Sequence, residues 1–407
     1  MMQGAEVRVG IDVGCRQHRV AIGDAAGRVL EEFDLPHTAA GFAEFFLRVE
    51  RQAAQQQAAA VVVAMEGLNG WARPLDQQIQ QRGWQLLNVN NLKLARFKEI
   101  FPGPAKSDAI DARKMLELLA LRVHVPVARA VLQEVPAHPV INDQLRRLTR
   151  RRRQLVWEKG RVLTRLLADL QAVSPGLVTI TGQVDNRWFL QFLTCRRDLR
   201  QLARLRPQSV RQIRGVGRHY ATVITQWQPT AAFGPEVEWV APMIHADAQR
   251  VLALLNQIDA LEEQIAALAT ESALAQRIDS IPGFGLVCSA ELAGELGTLA
   301  RFASEASLAL YVGMAQLDNS SGQRVGSKPA RQVNTRAKAA LMIAVDRHRK
   351  QVAASQAFYE KKRAAGKTHN QAIRALGRHL IRVLWAMLSH DRDYELREPT
   401  ARSDKAA

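Results

Sequence analysis

Four carboxylates in the first third of the chain stand where a carboxylate needs a partner. Asp12 ends the β-branched stretch "VRVGID", Glu66 ends the apolar run "AAVVVAME", and Asp108 and Asp111 lie three apart in "KSDAIDARK". A charge at the end of a buried strand is costly unless a cation meets it. Residues three apart on a helix share a face, so Asp108 and Asp111 can point at one place. Hard divalent cations such as Mg²⁺ take carboxylate oxygens together with water and phosphate, and a pair of them clamps the attacking and leaving oxygens in phosphoryl transfer. The four are therefore candidate metal-binding and catalytic residues. Taken singly, Asp12 also reads as a strand-end turn residue, and Asp108 with Asp111 as a first-turn acidic pair favoured by the helix dipole. Lys106, just before the pair, is a candidate phosphate contact or a solvated side chain.

Three further groupings could touch a polyanion. The segments "IRGVGRHYATVI" and "IPGFGLVCSAEL" each set a Gly-x-Gly turn before a helix start, Gly215 with Gly217 and Gly283 with Gly285. Open amides at such a point accept phosphate, as in helix-hairpin-helix modules, and a plain tight turn accounts for them equally. "RRLTRRRRQ" places six arginines within eight residues, Arg146, Arg147, Arg150, Arg151, Arg152 and Arg153. Arginine suits phosphate, and so dense a run on one helix is hard to neutralise internally, although a solvated helix face is the bland reading. Finally, Ser320 and Ser321 precede a glycine, with Arg324, Lys328, Arg331 and Arg336 close behind. A serine is a weak nucleophile unless activated, though nearby cations can hold a phosphodiester against it. A Ser-Ser-Gly turn by itself is structural.

These residues need elements to position them. Val7 to Val13 reads as a strand, and "HRVAIGDAAGRVLEEFDL" as two more around a turn at Asp24 to Gly27. An amphipathic helix from about Thr38 to Gln56 follows, then the continuous apolar run expected of a central strand, a helix near Trp71 to Gln81, and a strand in "WQLLNVNN". That order is the one of a ribonuclease-H-like α/β domain over 1–125, with Gly10 and Gly14 expected to leave room for phosphate and backbone beside Asp12. Prolines place a linker at 126–141. Long apolar-striped helices from Asn142 to Leu170 and Ile244 to Leu274 make 142–276 a helical, coiled-coil region able to pair within the chain or between subunits. A mainly helical domain at 277–396 and a disordered tail at 397–407 complete the expected organisation.

The totals narrow the class. Over 407 residues the chain carries a net charge of +17, which points to nucleic acid as partner, and its 47% apolar content excludes a largely disordered protein. The longest apolar run, Ala58 to Met65, is too short to span a bilayer, and Glu6, Arg8 and Asp12 occupy the place of a signal-peptide core, so a cytoplasmic location is expected. Three separated cysteines and scattered histidines give no zinc or disulfide spacing. Any bound metal is expected on oxygen ligands.

"VGIDVG", "AMEGLNGWARPL", "VNNLKLARFKE", "KSDAIDARKMLELL", "IPGFGLVCSAEL", "RFASEASLALYVGM", "SSGQ" and "FYEKKRAAGKTHNQAIRALGRHL" occur in one order along the chain. In that order and approximate spacing, from about Val7 to Tyr394, the sequence resembles the transposases of the insertion sequence 110 family, the Piv-like DEDD recombinases. The resemblance implies a RuvC-like, RNase H-like α/β N-terminal domain, a helical coiled-coil middle, and a mainly α C-terminal domain bearing a catalytic serine. Asp12, Glu66, Asp108 and Asp111 match the family's metal-binding set, and Ser321, with Ser320 next in line, matches its serine before glycine. It implies recombination of donor and target DNA by serine attack on a phosphodiester, with Mg²⁺ or Mn²⁺ at the carboxylates. It also implies guidance by a structured bridge RNA, and assembly as a dimer or tetramer in which one subunit's carboxylates meet another's serine. One departure is local: "ARQVNTRAK" keeps Asn334 but has Val333 where the family commonly has glycine. Two other readings stay open. One is a Holliday-junction nuclease that hydrolyses with water at the carboxylates; the other is a nucleic-acid-binding protein with an idle site.

Overall fold

β-Branched residues build a six-stranded sheet in the first part of the chain: β1 (Glu6–Asp12), β2 (Gln17–Gly23), β3 (Val29–Pro36), β4 (Ala60–Glu66), β5 (Gln85–Val89) and β6 (Leu132–Glu134). The computed structural model describes residues 6–67, 70–90, 94–95, 108–125, 131–323, 325–331 and 333–396, of Asp108 the backbone alone. It falls into two compact units, 1–138 and 139–407.

In the first unit the strand order is β3-β2-β1-β4-β5-β6, with β1 antiparallel to β2 but parallel to β4, and β4 parallel to β5. This is the ribonuclease-H-like arrangement expected from the element order. Alternation along the strands divides their side chains between two layers. Val7, Val9 and Ile11 pack with Phe45, Phe46 and Val49 of helix α1 (Ala39–Gln55) and with Leu75 and Ile79 of α2 (Arg73–Gln81). Ala21, Val62, Ala64, Leu87 and Val89 pack with Ala112, Met115, Leu116 and Leu119 of α3 (Asp108–His124) on the opposite face. Thr38 starts α1 by accepting a hydrogen bond from the Gly41 amide at 3.0 Å. The expected linker is corrected here. Residues 126–130 lie outside the described residues, and β6 adds an antiparallel edge strand to β5 within the segment read as linker.

The second unit is helical. Helix α4 (Val140–Val173) and α7 (Val237–Ala269) are its longest elements, with α5 (Arg187–Thr194) and α6 (Arg218–Trp227) between them. Ion pairs join Arg152 to Glu262, Glu158 to Arg250 and Arg165 to Asp247, so one number falls as the other rises. The long helices therefore pair antiparallel within the chain, one of the pairings the sequence leaves open. Helix α7 also starts earlier than expected and runs through Pro242. The cost of the missing amide is offset by burial of Val237, Ala241 and Ile244 on either side of it.

Trp188, Phe189 and Phe192 of α5 and Ile224 of α6 close the core around the outer half of the long pair. Its inner end, through Leu145, Ile265 and Ala269, belongs instead to a core shared with α8 (Ala273–Asp279), α9 (Gly285–Leu296), α10 (Glu305–Tyr311), α11 (Thr335–Gln351) and α13 (His369–Ser389). Helix α12 (Ala353–Ala364) packs between α11 and α13. The boundary expected at 276/277 thus crosses a continuous core, and the chain forms two compact units rather than three. Between α10 and α11 a small exposed hairpin, β7 (Gln316–Asp318) with β8 (Ser327–Pro329), projects from the unit. No helix among the described residues is long and apolar enough to cross a membrane.

Candidate active site

The register between β1 and β4 sets Ile11 against Met65, so Asp12 and Glu66, each the next residue, leave neighbouring parallel strands at the same end of the sheet. Helix α3 runs over that end. A Cβ added at Gly10 would stand 2.4 Å from the Ala112 carbonyl oxygen, and one at Gly23, which pairs with Arg8, would meet Leu116 at 3.0 Å. The helix therefore runs opposite to β1, and its first turn, with Asp108 and the buried Asp111, lies at the strand end that carries Asp12. Asp12, Glu66 and the first turn of α3, which carries Asp108 and Asp111, thus lie at the same end of the sheet. Among the described residues no three His, Cys, Asp or Glu side chains are close enough together to hold an ion as placed. The donor set itself, carboxylates with no thiol or imidazole among them, fits a hard cation such as Mg²⁺.

The two glycines beside Asp12 do one half of the job expected of them, the close approach of backbone. Gly10 is filled by the backbone of α3, and a Cβ at Gly14 would stand 2.3 Å from the Gln17 carbonyl in the turn to β2. Neither leaves room for phosphate; both serve backbone approach. Lys106 lies outside the described residues.

His18, which sequence reading passed over, is fully buried at the start of β2 with its Nδ1 3.1 Å from Nε2 of His37. Burial, helped by His37, lowers its pKa to about 4, against the smaller opposing pull of the Gly14 and Trp71 carbonyls. Gly14 and Trp71 lie in the segments that follow β1 and β4. The signal available in the sequence is its spacing of two from Val20 and Ile22, which places all three on one face.

The arginine run is largely neutralised inside the second unit, contrary to expectation. Arg150 grips Glu295 through two bonds of 2.6 and 2.8 Å, and Arg153 grips Glu291 at 2.7 and 2.5 Å. Arg152 reaches Glu262 at 2.7 Å and Arg146 reaches Asp143 at 2.6 Å. Glu291 and Glu295 are buried on α9, and their spacing of four matches one turn of each helix. Arg147 and Arg151 are exposed and without an acidic partner among the described residues.

In both Gly-x-Gly segments the first glycine takes a positive φ, +83° at Gly215 and at Gly283, and the second stands at a helix start. A Cβ at Gly283 would come within 2.5 Å of the His348 amide nitrogen, so this turn is seated on α11, where Nδ1 of His348 lies 2.7 Å from the Pro282 carbonyl oxygen. Packing accounts for Gly283. Gly217 and Gly285 face open space or only the tip of Arg347 at 4.0 Å.

The hairpin treats its two serines differently. Ser320 donates to Oδ1 of Asp318 at 2.6 Å and accepts from the Gly326 amide at 3.2 Å. Ser321 is exposed, and its hydroxyl makes no hydrogen bond among the described residues. Lys328 and Arg331 are exposed, Arg336 is half-buried, and Arg324 lies outside the described residues. Asn334 anchors the base of the hairpin. Its Oδ1 accepts from the amides of Arg336 and Ala337, capping α11, and its Nδ2 donates to Glu295 and to the Tyr311 hydroxyl at 2.7 Å each. Burial pushes the Glu295 carboxyl up, but bonds from Arg150 and Asn334 outweigh it and hold the group below the usual carboxylate range.

Two family models match the chain: one described as "Transposase", of the DEDD type of IS110, over residues 9–175, and one described as "Transposase IS116/IS110/IS902 family" over residues 275–360. The chain is similar to the insertion element IS110 43.6 kDa protein of Streptomyces coelicolor, at 27% identity over 404 residues, covering 97% of this chain and 96% of that protein. It is also similar to the insertion element IS900 42 kDa protein of Mycobacterium paratuberculosis, at 27% identity over 402 residues and 97% of each chain. Among solved structures, T. thermophilus RuvC in complex with a Holliday junction substrate aligns with 30% of this chain and 97% of its own, at 14% identity and a TM-score of 0.22.

Proposed function

This chain belongs to the IS110 family of transposases, and on that footing we propose that it cuts and rejoins DNA through Ser321, with Mg²⁺ held by Asp12, Glu66, Asp108 and Asp111. The observation that carries the reading is the placement of Asp12, Glu66 and the first turn of α3 at one end of the sheet. Mg²⁺ bound there supplies polarisation of the scissile phosphate. The remaining chemistry falls to the chain's own residues. Lys328, Arg331 and Arg336 hold the phosphodiester near the hairpin. The Ser321 oxygen bonds to phosphorus, the bond from phosphorus to a deoxyribose oxygen breaks, and the freed hydroxyl takes the proton that the serine loses. A hydroxyl of another strand reverses the step and joins new ends. The open position of Ser321, against the engaged hydroxyl of Ser320, supports Ser321 as the nucleophile. A structured RNA that directs the choice of DNA, and a dimeric or tetrameric active species, complete the proposal.

The test is to co-express the chain with its flanking DNA, sequence any RNA that copurifies, and incubate the complex with end-labelled DNA on a denaturing gel. A discrete RNA from the flank, and a Mg²⁺-dependent protein–DNA adduct absent from Ser321→Ala, are expected. Asp12→Asn is expected to abolish joining while retaining nucleic-acid binding, and EDTA to do the same reversibly. Sedimentation of the active species at monomer mass would overturn the assembly. Strand cleavage that leaves no adduct would replace serine attack by hydrolysis.

A further inference from the structure

Helix α4 keeps one face free after its internal ion pairs are made. Arg147, Arg151, Gln154, Trp157 and Arg161 are all exposed and follow one another at steps of four, three, three and four, the spacing of a single helical face. From Arg147 to Arg161 that face runs about 21 Å along the axis at 1.5 Å per residue. No acidic side chain pairs with Arg147, Arg151 or Arg161 among the described residues. The acid within this stretch, Glu158, is already engaged by Arg250, and Lys159 by Asp185. Trp157 is 58% exposed, an unusual position for so large an apolar ring on a helix whose other face is well buried.

We infer that this face binds an unpaired DNA strand, its phosphates along Arg147, Arg151 and Arg161 and one base stacked on Trp157. The charge is complementary to a phosphate backbone. An indole face offers a stacking surface that a closed duplex, whose bases are already stacked, cannot use. The inference rests on the transposase reading for its source of unpaired strand, since DNA that is cut and rejoined must open. It separates the arginine run into two classes, with Arg146, Arg150, Arg152 and Arg153 holding the fold and Arg147 and Arg151 facing the strand.

The test is fluorescence anisotropy of the full-length chain with a labelled single-stranded DNA oligonucleotide, its duplex, and an RNA of the same sequence. Trp157→Ala is expected to weaken single-strand binding by at least about fivefold, the range of one lost base stack, and duplex binding by less than twofold. Trp157→Phe is expected to recover most of the loss. Arg147→Gln with Arg151→Gln and Arg161→Gln is expected to reduce the dependence of single-strand affinity on salt. Equal single-strand affinity in Trp157→Ala and the parent overturns the inference, as does a Trp157 effect confined to RNA. Because the readout is binding, it holds or fails independently of adduct formation at Ser321.

Discussion

Gly10 of β1 lies directly beneath the carbonyl of Ala112 in α3, and a side chain at Gly10 would stand 2.4 Å from that oxygen. Glycine at this point is what lets the helix descend onto the strand, with its first turn at the strand end that carries Asp12. Gly10→Ala must therefore push α3 outward. We expect a destabilisation of about 1–3 kcal/mol or more from overpacking, read as a lower denaturant midpoint. Mg²⁺ affinity should fall as well, since the displacement separates carboxylates on two elements. A variant of unchanged stability and unchanged metal dependence would show that the contact does not set the site.

Ser320 and Ser321 are adjacent, but one hydroxyl is committed to Asp318 and the Gly326 amide and the other is not. Ser321→Ala is expected to remove the covalent adduct entirely. Ser320→Ala should retain it at a reduced rate, because the hairpin loosens while Ser321, the proposed nucleophile, stays. Adduct mapping by mass spectrometry after nuclease digestion distinguishes the two, and a DNA-linked Ser320 would reverse the assignment.

Glu295 is buried where Arg150, Asn334 and Tyr311 meet. Removing its charge in Glu295→Gln strands Arg150 and is expected to cost about 3–5 kcal/mol, the usual penalty for breaking a buried pair from one side. Because its folded pKa is depressed, this carboxyl contributes stability that is present above the ordinary carboxylate range and is lost as pH falls through the folded value. Thermal unfolding of the parent should therefore weaken steeply in acid, and Glu295→Gln should show a flatter acid limb.

His18 works in the opposite sense. Its folded pKa of about 4 lies below the ordinary 6.5, so the unfolded chain takes up a proton that the folded chain refuses. Stability should decline as pH drops from about 6.5 to about 4 and change no further on this account below that. His18→Gln should remove this component of the pH profile. If the profile is identical in the variant, the buried His18 does not govern it.

Much of this protein is set by local sequence. Strand alternation, the unbroken apolar run before Glu66, the Thr38 cap and the three- and four-residue apolar spacing of the long helices are consequences of backbone geometry and side-chain burial that operate over a few residues. They suffice to place Asp12 and Glu66 at strand ends and Asp108 with Asp111 on one helical turn. Tertiary structure decided what depends on residues far apart in the chain. Arg150 and Arg153 are neutralised because Glu295 and Glu291, some 140 positions later, return on α9, and no local pattern distinguishes them from Arg147 and Arg151. Gly10 and Gly283 read equally as room for phosphate or for plain backbone, and both are occupied by the backbone of a helix distant in sequence. Charge and glycine report only that something must approach; which partner arrives is fixed by packing, whose long-range contacts a short window of sequence does not contain.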